Sequence, residues 1–355
     1  MADHDDVHPR PEGSGADGAR GSGPADERGS GPAAGASPAG DPAPLPGASA
    51  ATADASVLTD LALAEAEQTD RIDHGPSWFQ ILWASKKARV GIVLLGLYVL
   101  IALAAPLIAP YRGDDTTFAP VLLPSAEHWM GTTTQGADIF SQLIWGTRVS
   151  LIVGLFGGLF ATILGLIIGL TSGYFEGTWI DDVLSLVTNV ALVVPTLPLI
   201  ITLMAYSEVR SVWFTILIIG IISWAGAARS KRSLMITLRH RDFVTAAKFA
   251  GDRTPTIIFR EILPQMTSLV AAGFFGAATG AIGAEAGLSF LGLGNTESIS
   301  WGTMLYQAQL QGALAQGLWV WLLVPGLALS GLIMALTLIN FGIDLISNPH
   351  LREDG

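Results

Sequence analysis

The chain has 355 residues, half of them hydrophobic and only 14% charged, with a mean hydropathy of +0.49 and a formal net charge of −11. A soluble domain carries about a quarter charged residues, so the shortfall points to apolar surface that never meets water. The acidic balance argues against a nucleic-acid partner, which needs a basic stripe. The absence of cysteine excludes disulfides, thiolate nucleophiles and Cys-ligated zinc or iron–sulfur centres.

Residues 1–77 contain no aromatic, hold 11 of the 41 glycines and 9 of the 19 prolines, and carry a net charge of −10. Such a stretch cannot bury enough apolar area to offset the entropy of ordering it, so it reads as a disordered acidic tail. Within it, Val57 to Glu67 reads as at most a transient helix in a linker. The tail lacks the basic start and apolar core of a signal peptide.

The character changes at Trp78. Residues 78–89 combine Trp78, Phe79, Ile81, Leu82 and Trp83 with a collar of Lys86, Lys87 and Arg89, an interfacial amphipathic segment leading into a membrane. Apolar runs then recur at Val90–Tyr111, Val149–Phe175, Val183–Ser207, Ser211–Ala228, Ile262–Ala284 and Gly317–Ile343. About 20 such residues make one crossing. The expected fold is therefore an all-α membrane protein of six transmembrane helices: a first span at 90–111, an extracytoplasmic loop at 112–148, and core spans within 149–343. With the N-terminus inside, 12 bases fall on cytoplasmic segments and three, Arg112, Arg148 and Arg210, fall outside. That asymmetry places both termini in the cytoplasm.

Glycines at four-residue spacing (Gly154/Gly158, Gly165/Gly169/Gly173, Gly276/Gly280, Gly283/Gly287) predict close helix packing. Pro195 and Pro198 predict a kink in the third span, and Pro325 one in the sixth.

The longest polar interval of the membrane body is the loop at 229–265. It predicts two short amphipathic helices. The first, around Asp242–Ala250, places Phe243, Ala246, Ala247 and Ala250 on one face, and Gly251 ends it in a left-handed conformation. Thr254 is placed to cap a second helix with Pro255 at its first position. There Ile258 stacks over Ile262 and Phe259 over Leu263, and Pro264 discourages continuation. The element suits a groove on another protein; lying on lipid headgroups is the alternative.

Thr245-Ala246-Ala247, Gly251 and Leu263-Pro264 resemble the EAA loop of bacterial ATP-binding-cassette (ABC) importer permeases, with Thr245 where the family has Glu. The run from Glu285 to Gly294, including Ser289 and Gly292, followed by Ser300-Trp301-Gly302, resembles the signature of dipeptide, oligopeptide and nickel permeases. Gly131, Thr132, Gly136, Asp138, Ser141, Gly146, Arg148, Ser150 and Leu151 resemble the segment opening the core of their C-type subunit. The family has Asp, Arg and Arg where this chain has Thr133, Ala137 and Gln142. The resemblance covers about residues 78–350 and implies a bacterial plasma-membrane permease subunit. In that family the loop docks on an ATPase, which assigns Phe243, Thr245, Ala246, Ala247, Gly251, Ile258, Leu263 and Pro264 to ATPase coupling. Implied partners are a second permease subunit, two ATPases and an extracytoplasmic substrate-binding protein.

No GxxxxGK[ST] loop occurs, so ATP and Mg are expected on the partner subunits, with no cofactor on this chain. The six histidines show no metal-ligand spacing, and the serines in the membrane lack a nearby histidine for a nucleophile–base pair in sequence. Glu285 in the fifth span is open to a functional or a structural reading, as is Asn189 in the third. Asp344 ends the sixth span. A self-contained secondary transporter or channel would be expected to show an internal repeat with paired broken helices, and none is seen. A membrane scaffold is the remaining alternative. The transported solute is not legible.

Overall fold

A computed structural model describes Trp83, residues 85–295 and residues 298–347; for 344–347 it gives the backbone only. The expectations for the tail, for the helix at Val57–Glu67 and for most of the 78–84 segment fall outside the described residues. Those residues are almost entirely helical, with one isolated bridge between Thr132 and Asp138.

The chain runs α1 (Lys86–Ile108), α2 (Ile139–Tyr174), α3 (Trp179–Val193), α4 (Thr196–Tyr206) and α5 (Val212–Leu238). It continues through α6 (Asp242–Phe249), α7 (Thr267–Phe290), α8 (Trp301–Leu310) and α9 (Trp319–Ser347). Among the described residues, α1, α2, α5, α7 with its leading turns, and α9 are long and apolar enough to cross a bilayer. The pair α3 and α4, bent by 83°, has together the length and composition of one more span, broken at its middle, or of a re-entrant loop, so the described residues hold five or six candidate spans. The bend falls where Pro195 precedes α4, as a missing N–H and a ring clash require.

Large apolar side chains lie on the outside of this bundle, Leu107 at 89% and Val193 at 81% exposure, as lipid allows and water does not. Helix α2 is the hub and packs most extensively on α5, then on α7; α1 pairs with α9. Its glycines explain why. A Cβ on Gly165, Gly169 or Gly173 would meet Ala227 Cβ, Ala228 O or Met235 Cβ of α5 at 2.7, 2.5 and 2.7 Å. One on Gly154 or Gly158 would meet Ile282 or Ala278 of α7 at 2.6 and 2.7 Å. The glycines of α7 differ: Gly276, Gly280, Gly283 and Gly287 are exposed, with open space where a Cβ would stand. Their spacing predicts packing, yet among the described residues they pack against nothing.

The boundaries move relative to the apolar runs, always at polar ends. The basic collar Lys86–Arg89 forms the first turn of α1, capped by Ser85, rather than a separate segment. The loop expected at 112–148 ends at Asp138, because that side chain caps α2 ten residues before the apolar run begins. Helix α5 continues to Leu238, past the charges that end its run, because Arg232 is paired. Lys231, one of the 12 bases assigned to cytoplasmic segments, is 1% exposed and lies against Gly169 and Gly273.

Candidate functional site

Two assemblies hold most of the residues singled out in the sequence. The first is the segment from Arg241 to Met266. Helix α6 ends at the cap Ala250, and Gly251 follows at φ +86°. Asp252 N–H bonds Ala247 O and Gly251 N–H bonds Lys248 O, both at 3.1 Å, which is a Schellman closure. The next turn starts with Thr254 already helical. Arg253 is its N-cap and makes no side-chain bond, so Thr254 does not cap as expected. Nor does Pro264 end the segment. An α-turn (Thr254–Thr256), a π-turn (Ile257–Ile262) and a 3₁₀-turn (Leu263–Met266) lead straight into α7. Pro264 has no N–H to give the α ladder, and the chain changes helix type there instead of breaking.

The faces also differ from the predicted ones. Val244, Ile257, Ile262 and Met266 are at most 1% exposed and form a core with Leu170 of α2 and Met235 of α5. Phe243, Ala247, Ile258 and Leu263 are half-buried at its edge. Thr245, Ala246, Ala250, Gly251 and Pro264 face out, and so do Phe249 at 88% and Phe259 at 63% exposure. The expected single ridge of Phe243, Ala246, Ala247 and Ala250 is thus divided. The π-turn rotates the second half, so Ile262 points inward instead of stacking on an exposed Ile258. Arg239 fixes this segment to the end of α2, donating to Tyr174 O at 2.9 Å and pairing with Glu176 at 2.8 Å.

The second assembly joins α7 to α8. Glu285, 4% exposed, accepts through Oε1 from Ser289 Oγ at 2.7 Å and from Ser300 Oγ at 2.8 Å. Ser300 is the N-cap of α8, where it forms a capping box with Thr303. Gly292, at φ +75°, closes α7 with the same backbone pattern as Gly251. A Cβ on Gly294 would overlap Ser289 Oγ at 2.1 Å, and one on Gly302 would stand 2.7 Å from Ser289 Cβ and 2.9 Å from Ala286 Cα. Trp301, 1% exposed, donates Nε1–H to Leu143 O of α2 at 3.1 Å and meets Tyr98 of α1 edge-on. The Glu285–Gly302 stretch is therefore a latch that seats α8 on three other helices.

The sequence pattern of the family described as "Binding-protein-dependent transport system inner membrane component" matches residues 161–353. The chain belongs to that family. It is a permease subunit of an ABC importer, a multi-pass protein of the bacterial plasma membrane. Residues 77–126 of the permease also match the family "N-terminal TM domain of oligopeptide transport permease C". It is similar to a dipeptide transport system permease protein of Alkalihalophilus pseudofirmus, 33% identical over 278 residues, 78% of this chain and 90% of that one. A probable peptide ABC transporter permease protein of Sinorhizobium fredii is 36% identical over 73% of this chain and 88% of its own length. A chain of the methionine ABC transporter, solved in inward-facing conformations, aligns at TM-score 0.46 and 18% identity, covering 58% of this chain and 94% of that one.

The permease's remaining signature residues form a third, compact knot between α1 and α2. Asp138 Oδ2 accepts from Ser141 N–H and Oγ–H at 2.8 and 2.7 Å, and its Oδ1 lies 2.9 Å from His128 Nδ1. Gly131 and Gly136 both sit at φ +77° against backbone carbonyls. Arg148 donates Nε–H to Ala102 O of α1 at 2.6 Å. Thr133 takes up backbone N–H groups of Gln135 and Ala137. Among the described residues no group of His, Asp and Glu could hold a metal ion.

Sequence reasoning missed two features. One is Phe249, exposed on the 241–266 segment beside Phe259, which the sequence had singled out; Phe249 was readable as an apolar residue off the predicted stripe. The other is the pair of Asp181 and Arg232, bonded through both oxygens at 2.8 and 2.7 Å, with Ser172 and Ser185 also donating to Asp181. Nothing local links residues 51 positions apart, so this contact leaves no trace in the sequence.

Proposed function

We propose that this permease is the C-type subunit of a peptide importer and that residues 241–264 dock on an ATPase partner at the cytoplasmic face. One observation carries the docking role. The segment is locked on one side by Val244, Ile257, Ile262 and Met266, yet presents Phe249 and Phe259 to the outside on the other. A rigid element with exposed aromatic anchors is the helix-in-groove arrangement. The positive-inside asymmetry supports a cytoplasmic position for it, with both termini on that side. The names of the relatives support peptides as the solute.

The complete transporter would comprise this chain, a second permease, two ATPases and an extracytoplasmic binding protein. ATP and Mg would be bound by the ATPases, and this chain would catalyse no reaction. The exposed glycine face of α7 suits the second permease, since backbones approach closely there. ATPase closure would then move α6 and, through the helical turns at 254–266, α7 and the latch at its far end. That is a two-state rearrangement of packed helices.

The test is the purified transporter, co-expressed with its neighbouring ATPases and reconstituted in vesicles. Phe249→Asp removes an exposed anchor at little cost to the fold. ATPase recovery with this subunit should drop, and ATP-driven peptide uptake with it. Undiminished co-purification and uptake would refute the docking assignment.

A further inference from the structure

Near the end of the bundle that carries the 241–266 segment, α2, α3 and α5 border an open cleft of about 240 Å³. Its polar walls are Ser172, Ser185, Thr188, Asn189, Arg229 and Arg232. Most of these groups are already committed. Arg232 forms its two-pronged pair with Asp181, and Ser172 and Ser185 also donate to Asp181. Thr188 Oγ–H goes to Leu184 O at 2.7 Å. The Asp181 charge is thus met within the cavity wall. What remains unspent is the Arg229 guanidinium, which has no ion-pair or hydrogen-bond partner among the described residues, together with the Asn189 amide; both residues are exposed at the open side of the cleft. The free charge of the site is +1, and a guanidinium offers only donors.

The depth of the site says what could meet that charge. Arg229 lies nine residues inside Leu238, about 14 Å along α5 at the helical rise. The 27 residues of α5 span about 40 Å, against a hydrocarbon thickness of about 30 Å. With the overhang of about 10 Å at the Leu238 end, where the charges of α5 lie, the cleft sits near the level where headgroups meet acyl chains. Beside it α3 exposes Leu186, Val187 and Val190, which suit an apolar neighbour.

We propose that this cavity is a binding site for a singly charged oxyanion, held by Arg229 and Asn189. Two sources carry that chemistry at this depth: the phosphodiester of an anionic lipid, and the carboxylate of a solute in transit. The second rests on the peptide-importer reading; the first does not. A basic pocket between transmembrane helices at the headgroup level is a recurrent way of holding anionic lipid.

The experiment compares the wild-type transporter with Arg229→Gln and Arg229→Lys. In the lipid arm, the complex is transferred to nanodiscs of phosphatidylcholine with or without phosphatidylglycerol, and bound lipid is counted by native mass spectrometry. In the solute arm, the concentration dependence of uptake is measured for a peptide with a free C-terminal carboxylate and for its C-terminal amide. Thermal unfolding in pure phosphatidylcholine confirms that each variant is folded.

A lipid site predicts that Arg229→Gln weakens phosphatidylglycerol retention roughly tenfold or more, and that Arg229→Lys restores part of it. A solute site predicts that Arg229→Gln raises the apparent KM for the free acid by a similar factor and leaves the amide unchanged. If folded Arg229→Gln matches wild type in both arms, the proposal is overturned. Failure of the solute arm alone leaves the lipid source standing, and it bears on neither the family nor the docking reading.

Discussion

Replacing Gly302 by alanine should damage the permease far more than one methyl group suggests. The added Cβ would stand 2.7 Å from Ser289 Cβ and 2.9 Å from both Ala286 Cα and Ala286 O. Two of these atoms are backbone of α7, so no side-chain rotation relieves them, and α8 must withdraw by several tenths of an ångström. Overpacking of this kind costs about 1–3 kcal/mol. The withdrawal also stretches the 2.8 Å bond from Ser300 to Glu285, whose other oxygen, Oε2, has no partner among the described residues. Loss of a hydrogen bond of this kind adds about 1–3 kcal/mol. Gly283→Ala is the control. It lies on α7, the helix that Gly302 approaches, but in open space, and carries the same added methyl. The assay is the thermal unfolding midpoint of the purified subunit in detergent, with Ser300→Ala measured alongside. The expected order of destabilisation is Gly302→Ala, then Ser300→Ala, then Gly283→Ala with no loss. Equal midpoints for Gly302→Ala and Gly283→Ala would refute the close approach of α8 to α7.

Gly251→Val tests the turn at φ +86°, where a Cβ meets nothing and the whole penalty is backbone strain of about 1–2 kcal/mol. In the reconstituted transporter the valine variant should hydrolyse ATP without matching uptake, while Gly251→Asn, which tolerates that conformation, stays coupled. Tight coupling in the valine variant would sink the lever reading. Asp181→Asn removes one partner of a pair in which Asp181 is buried and Arg232 is about a third exposed. Breaking a fully buried pair costs about 3–5 kcal/mol, and the exposure of Arg232 brings the expectation below that range. A double-mutant cycle with Arg232→Met measures the coupling, and additivity of the two changes would show that the pair contributes nothing.

The spans were legible because a bilayer imposes one requirement on every crossing segment: about 20 residues without charge. Their ends were not, because a helix continues wherever its polar groups find partners. Asp138 caps α2 well before the apolar run, and Arg232 extends α5 by pairing with Asp181 on α3. Neither partner can be chosen from a single sequence. Glycine spacing has the same limit. It marks faces that admit a close neighbour, but not which neighbour: the glycines of α2 meet α5 and α7, whereas Gly276, Gly280, Gly283 and Gly287 of α7 face outward. In the 241–266 segment the turn at Gly251 was legible from one residue type. The division of faces was not, since the π-turn at Ile257–Ile262 breaks the 3.6-residue period on which the reading relied.

The two stretches that carried the resemblance, the loop around Gly251 and the run from Glu285, lie at opposite ends of one helical segment. From Thr254 to Phe290 the chain forms 37 residues without a break, about 55 Å at the α-helical rise. Displacement at Phe259 reaches the latch most directly along the residues between. The weakest joint is where helix types change, at Ile257–Met266, since π- and 3₁₀-turns hold poorer hydrogen bonds than an α-helix. There Ile257, Ile262 and Met266 are packed to 1% exposure or less against α2 and α5. Packing stiffens the place where the backbone ladder is most compliant, so on the docking reading a push on α6 would move α5 and α7 together. The Glu285 latch ties α8 to the same rod, and the separate signatures of loop and latch then describe a single mechanical unit.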